Sequence, residues 1–207
     1  MTVLQYYGPY HDPHQHRYIP PTQLRPPMSL LSTVMESKLI LHPLLSYSQH
    51  DVVPGNCAPI VWDLREPPES ALHVDNHDKP LSPTNLSQHA TNPPCLVLRI
   101  TCDIFPEPWP IEVRRLEPVT VGDVLHTIHS ALSRRIIKSE WDRISEKQRG
   151  RIGEIFDNRC RVSLQREECR ANGVLRVDCL LSHTLFAGLS ASIDEDDSFI
   201  MTLRRPQ

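Results

Sequence analysis

The sequence predicts an α+β fold: a mixed five-strand sheet in the order β-β-β-α-α-β-β, with two helices packed on one face. Three observations carry that expectation. Nineteen of the twenty prolines precede Val119, and proline cannot donate to a ladder or sit in a helix interior. Regular structure of any length is therefore expected mainly in the Pro-free stretch 119–205. Residues 95–102 (CLVLRITC) form a β-rich apolar run bounded by Pro93-Pro94 and Asp103. From Val121 onward, Val121, Val124, Leu125, Ile128, Leu132 and Ile136 recur at helical spacing and make one apolar stripe.

Taken in chain order, residues 1–37 hold six prolines and four of the five tyrosines without a hydrophobic period, so a disordered tail is expected there. Residues 38–207 are read as one domain. The first apolar cluster, 38–45 (KLILHPLL), reads as a short extended arm kept at an edge by Pro43. Residues 60–64 read as a strand. A long Pro-rich loop follows at 66–94; such a loop is either functional or disordered. Residues 95–102 and 109–114 (WPIEVR) read as a hairpin, with Pro106, Pro108 and Pro110 confining the second strand to an edge.

Thr120 is placed to cap the first helix, with Asp123 in its first turn. Ser145 and Gln148 resemble a capping box for a second helix, whose stripe is Ile152, Ile155, Phe156 and Cys160. Gly150 and Gly153 each weaken that helix by roughly 1 kcal/mol relative to alanine. Asn172-Gly173 signals a turn, 174–181 reads as a strand followed by 185–189, and 199–203 closes the sheet after an acidic turn at 194–197.

Composition narrows the function classes. A net charge of −3 argues against wholesale attraction to nucleic acid or an anionic membrane. The N-terminal residues lack the basic and apolar regions of a secretory signal, and no run approaches membrane-spanning length. The expected setting is intracellular, cytoplasmic or nuclear, with all six cysteines as free thiols.

Four motifs, WDLREPP (62–68), PWPIEV (108–113), VTVGDVL (119–125) and RVDCLLSHTLFAGL (176–189), resemble an uncharacterised family of proteins from mushroom-forming fungi. The resemblance spans about residues 39–206 and implies no activity, cofactor or substrate. A hairpin, a helix opened by Thr120-Val121, a strand through Phe186-Ala187-Gly188 and a last strand ending in Arg204-Arg205 are also similar to the ubiquitin-like β-grasp. The chain ends Arg-Arg-Pro-Gln without Gly-Gly, so that resemblance does not imply conjugation.

Candidate chemistry is sparse. His73 and His77, flanked by Asp75 and Asp78, are the metal candidates, set against a polar loop as the alternative. His126 and His129 lie three apart on the expected helix, where a solvated face is the competing reading. Ser182, His183 and Asp178 are neighbours in sequence, which does not place a triad. No phosphate-binding or dinucleotide-binding glycine loop occurs. Residues 134–176 carry twelve basic against seven acidic residues, and the interleaved acids argue for a solvated face over a nucleic-acid surface.

The expected function is accordingly a non-catalytic domain that binds another protein, with no cofactor and no membrane, its candidate contact residues being Trp62, Asp63, Arg65 and Trp109. For both tryptophans the competing reading is a core anchor. The alternatives are a metal-binding protein or hydrolase using the histidines of the 66–94 loop, and nucleic-acid binding through 134–176.

Overall fold

The computed structural model describes residues 38–47, 59–74, 76–193 and 197–206, with the backbone alone at 76–78. The expected tail at 1–37, Cys57 and most of the acidic turn lie outside the described residues. In chain order the strands are β1 (Ile40–Leu41), β2 (Ile60–Val61), β3 (Leu72–His73), β4 (Asn76–Pro80), β5 (Thr91–Asn92), β6 (Val97–Thr101), β7 (Ile111–Arg114), β8 (Leu185–Ala191) and β9 (Ser198–Arg204). The helices are α1 (Pro83–Leu86), α2 (Val121–Leu132), α3 (Lys138–Arg143), α4 (Glu146–Val162) and α5 (Arg166–Asn172).

The α+β class holds, and the principal sheet has four strands in the order β7-β6-β9-β8. β6 and β7 form the expected antiparallel hairpin, β9 runs parallel to β6, and β8 is antiparallel to β9. The period of two along β6 and β7 sends Leu98, Ile100, Ile111 and Val113 to one face. There they meet the buried stripe of α2: Val121, Val124, Leu125, Ile128 and Leu132. Each such side chain contributes about 1.5–3 kcal/mol relative to leaving it in water. The helix starts where expected, because Thr120 Oγ1 accepts the Asp123 N–H and Asp123 Oδ2 accepts the Thr120 N–H at 3.0 Å. It stops at Leu132, so Ile136 packs in a second cluster with Trp109, Ile144, Ile152 and Cys179.

Two expected strands are not members of this sheet. The 60–64 segment contributes β2 to a separate sheet of order β2-β3-β4 and reaches β8 through an isolated bridge, Asp63 to Leu185. The 174–181 segment is a 3₁₀ turn, Arg176–Leu180, preceded by a bridge from Leu175 to Arg135. Asp178 decides the matter: its carboxylate accepts the Leu175 N–H at 2.9 Å, offering the backbone a local partner in place of a ladder. The 66–94 stretch is likewise built, from a 3₁₀ turn at Pro68–Ser70, β3, β4, α1 and β5, with Pro68, Ala71, Leu81 and Ala90 buried.

The two edges of the principal sheet differ. Along β8, Leu189 N–H donates to Leu45 O and Tyr47 N–H to Leu189 O, while Phe186 N–H donates to Trp62 O, so the 44–47 arm and the 62–64 segment seal it. Gly188 permits the close approach of the arm: its φ is +121°, and a Cβ there would lie 2.6 Å from the Tyr47 backbone. β7 closes the other end of the strand order. Arg115 N–H donates to Leu96 O, which makes 98/113 and 100/111 the hydrogen-bonded pairs and turns the N–H and C=O groups of Glu112 and Arg114 away from β6.

Candidate functional site

The concave feature that the sequence foreshadows lies where β6 ends and β7 begins. The connection Cys102–Pro110 folds into a cleft of about 440 Å³ whose walls include Arg99, Asp103, Phe105, Glu107, Trp109 and Pro110. Proline spacing makes the rim rigid, since each ring fixes φ and none can donate back to the chain. Behind the rim, Trp109 is buried against Phe105, ring centroids 5.3 Å apart. The Arg176 guanidinium lies 4.6 Å over the indole and donates to Glu140 Oε1 at 2.9 Å. The indole N–H is buried beside that carboxylate without closing to a hydrogen bond of ordinary geometry. Burial pushes the Glu140 carboxyl up, yet the Ile137 N–H and Arg176 outweigh it and hold it below its usual range. Glu107, at the rim, pairs with Arg143 at 3.2 Å. Trp109 is thus both a core anchor and the floor of the cleft.

Trp62, Asp63 and Arg65 follow directly on β2, where the Phe186 N–H donates to Trp62 O. Trp62 is 1% exposed, packs on Phe186 and donates its indole N–H to Glu66 O at 3.1 Å. Asp63 folds back on Arg65, accepting from its Nε at 3.0 Å and its backbone N–H at 3.0 Å. Burial raises the Asp63 carboxyl, and the Arg65 contacts overcome this to leave it below its ordinary value. WDLR therefore closes a turn on itself, with only the Arg65 side chain well exposed.

The histidines do not assemble a metal centre among the described residues. His73 lies on β3 opposite Asn76, and the side chain of His77 lies outside what is described. Nor do Ser182, His183 and Asp178 form a triad: both Asp178 oxygens take Arg159 N–H groups at 2.8 Å, and His183 Nε2 accepts from Arg205 Nε. In the basic stretch, Lys138, Arg143, Arg159, Arg170 and Arg176 each pair with a carboxylate, and two of those carboxylates, Glu107 and Asp178, come from outside the stretch and lower its excess from five to three.

His126 has a specific partner. Its Nδ1 lies 2.7 Å from the Gly122 carbonyl and its Nε2 3.0 Å from Glu69 Oε1, at the edge of a depression of about 560 Å³ over α2. Both oxygens only accept, so the geometry is that of an imidazolium donating from both nitrogens. The Gly122 carbonyl, then Glu69 and the field of Asp123, raise its pKa above the ordinary 6.5 against the opposing effect of burial. Because the folded value is raised, this tie between α2 and the Pro68–Ser70 turn is complete below 6.5 and is lost as pH climbs through the raised value. An NMR titration of His126 should place its midpoint above 6.5, and Glu69→Gln should lower it. An unmoved midpoint in that variant would mean that Glu69 contributes nothing.

The chain belongs to a family of unknown function, DUF6699, whose profile matches residues 60–198. No curated protein and no solved structure matches it. Among the described residues no helix is long and apolar enough to cross a membrane.

Proposed function

We propose that the chain is a protein-interaction domain that takes an extended segment of a partner protein onto β7, with the Phe105–Trp109 cleft receiving one of its side chains. The observation that carries this reading is the open edge. The backbone groups of Glu112 and Arg114 face outward without a partner among the described residues, while the β8 edge is sealed. A strand added there gains main-chain hydrogen bonds for affinity and an adjoining pocket for specificity. The exposed face beside the edge carries Arg99 and Arg114 against Glu112, and Asp103 stands with Arg99 on the cleft wall, so the site offers both charges to a segment.

The strand order β7-β6-β9-β8, with a parallel central pair and α2 across one face, supports the likeness to a ubiquitin-like β-grasp core. The five described cysteines are unbridged, which suits a reducing compartment, and on that ground we infer an intracellular setting.

The test is selection from a library of displayed peptides, followed by fluorescence anisotropy with the full chain. Glu112→Pro deletes an outward donor at a position where the fold tolerates its loss. It is expected to weaken selected peptides by about tenfold or more, the worth of one or two main-chain hydrogen bonds, with the circular dichroism unchanged. Selection that yields no peptide sensitive to residue 112 would overturn the edge as the docking site.

A further inference from the structure

Helix α5 has seven residues, and Cys169 is its single buried one. The other side chains of that helix are exposed. A segment attached through so little apolar surface opens locally at a small fraction of the global unfolding free energy. What Cys169 packs against is another thiol: its Sγ lies 3.2 Å from that of Cys160, nine positions earlier near the end of α4. Among the described cysteines no other two sulfurs meet.

The two sulfurs are not equivalent. The Cys160 S–H donates to Cys169, and Arg159 Nη1 donates to the same Cys169 sulfur at 3.0 Å. Two donors thus converge on the Cys169 sulfur, one of them a guanidinium, and none of the described contacts does the same at Cys160. Arg159 is held in that position by Asp178 and by the Gly173 carbonyl, which its Nη2 reaches at 3.0 Å. Cys160 is fully buried, and burial together with its contact to Cys169 raises its pKa. Burial raises Cys102, against the opposing effect of the Ile104 and Phe105 N–H groups, and raises Cys179 to about 12.

We propose that Cys160 and Cys169 form a redox modification site, at which a peroxide oxidises Cys169 and Cys160 resolves it to a disulfide that fastens α5 to α4. Cys169 loses its proton to solvent, and its thiolate attacks one peroxide oxygen. The O–O bond breaks, hydroxide leaves and is protonated to water, and Cys169 becomes a sulfenic acid. Cys160 then surrenders its proton as its sulfur attacks Cys169. The S–S bond forms, the S–O bond breaks, and a second water departs. Two thiols are oxidised and one peroxide is reduced to two waters.

The full chain, reduced and then given one equivalent of hydrogen peroxide, tests this by alkylation, digestion without reductant and mass spectrometry. The expected product is a linked pair of peptides containing Cys160 and Cys169, two hydrogens lighter than their sum and restored by dithiothreitol. Amide exchange across α5 should slow by roughly tenfold on oxidation. In Cys160→Ser, dimedone should trap a sulfenic acid at Cys169. Peroxide that leaves both residues reduced, or that oxidises Cys95 ahead of Cys169, overturns the proposal. These two outcomes are read on the unmutated protein, so they do not depend on any variant folding.

Discussion

Arg159→Ala is expected to destabilise the domain by about 3–5 kcal/mol, as removal of one partner of a buried ion pair does. The pair is bidentate, Nε to Oδ1 and Nη2 to Oδ2, each at 2.8 Å, and Asp178 is only 1% exposed. Without the guanidinium the carboxylate stays buried with the Leu175 N–H as its remaining donor. That loss is a large fraction of the roughly 5–15 kcal/mol available to a natural domain. Chemical denaturation would show it as a lower midpoint. Arg159→Met combined with Asp178→Leu should recover part of the loss, because no charge is then left unpaired while the Leu175 N–H loses its carboxylate. A deficit in Arg159→Ala below about 1 kcal/mol would show instead that water reaches the carboxylate.

Trp62→Ala is the second large effect, about 3–5 kcal/mol for deleting a buried aromatic and leaving a cavity. The ring touches Phe186 on β8, and its N–H closes the WDLRE turn on Glu66 O. Trp62→Phe keeps most of the ring and loses the donor, so a smaller cost of about 1–3 kcal/mol is expected, set by the unsatisfied carbonyl. Urea titration of both variants measures the difference. Equal losses would mean that the hydrogen bond, and not the packing, holds Trp62. Either way its side chain offers no face to a partner in the folded domain, in contrast to the Trp109 cleft.

What could be read beforehand divides by physical cause. Helix α2 announced itself through both a cap and a stripe, and its first residue is where Thr120 and Asp123 put it. The hairpin was legible because two β-rich runs flank a short connection that Pro106, Pro108 and Pro110 keep free of regular structure. Helix α3 has Ile137 at its N-cap, and the compensating contact, Glu140 reaching back to the Ile137 N–H, is not a pattern that a capping residue advertises. Helix α5, with one buried residue, has no periodicity to detect. At 174–181 the apolar residues mimic a strand, and the turn is set by Asp178 bonding back to the Leu175 N–H while Arg159 pairs with its carboxylate. At the candidate site, Pro-Trp-Pro marked the cleft floor, whereas the facing sulfurs of Cys160 and Cys169 come from folding α5 onto α4 and have no linear signature.

The unequal edges of the principal sheet set its combining number. With β8 occupied by the chain's own 44–47 arm, the proposed strand addition has one address on the principal sheet among the described residues, at β7. A unit that can bond once along the sheet direction terminates whatever it joins: two copies meeting at β7 make a closed pair, and growth into a fibril by this sheet is stopped by the arm that Gly188 admits.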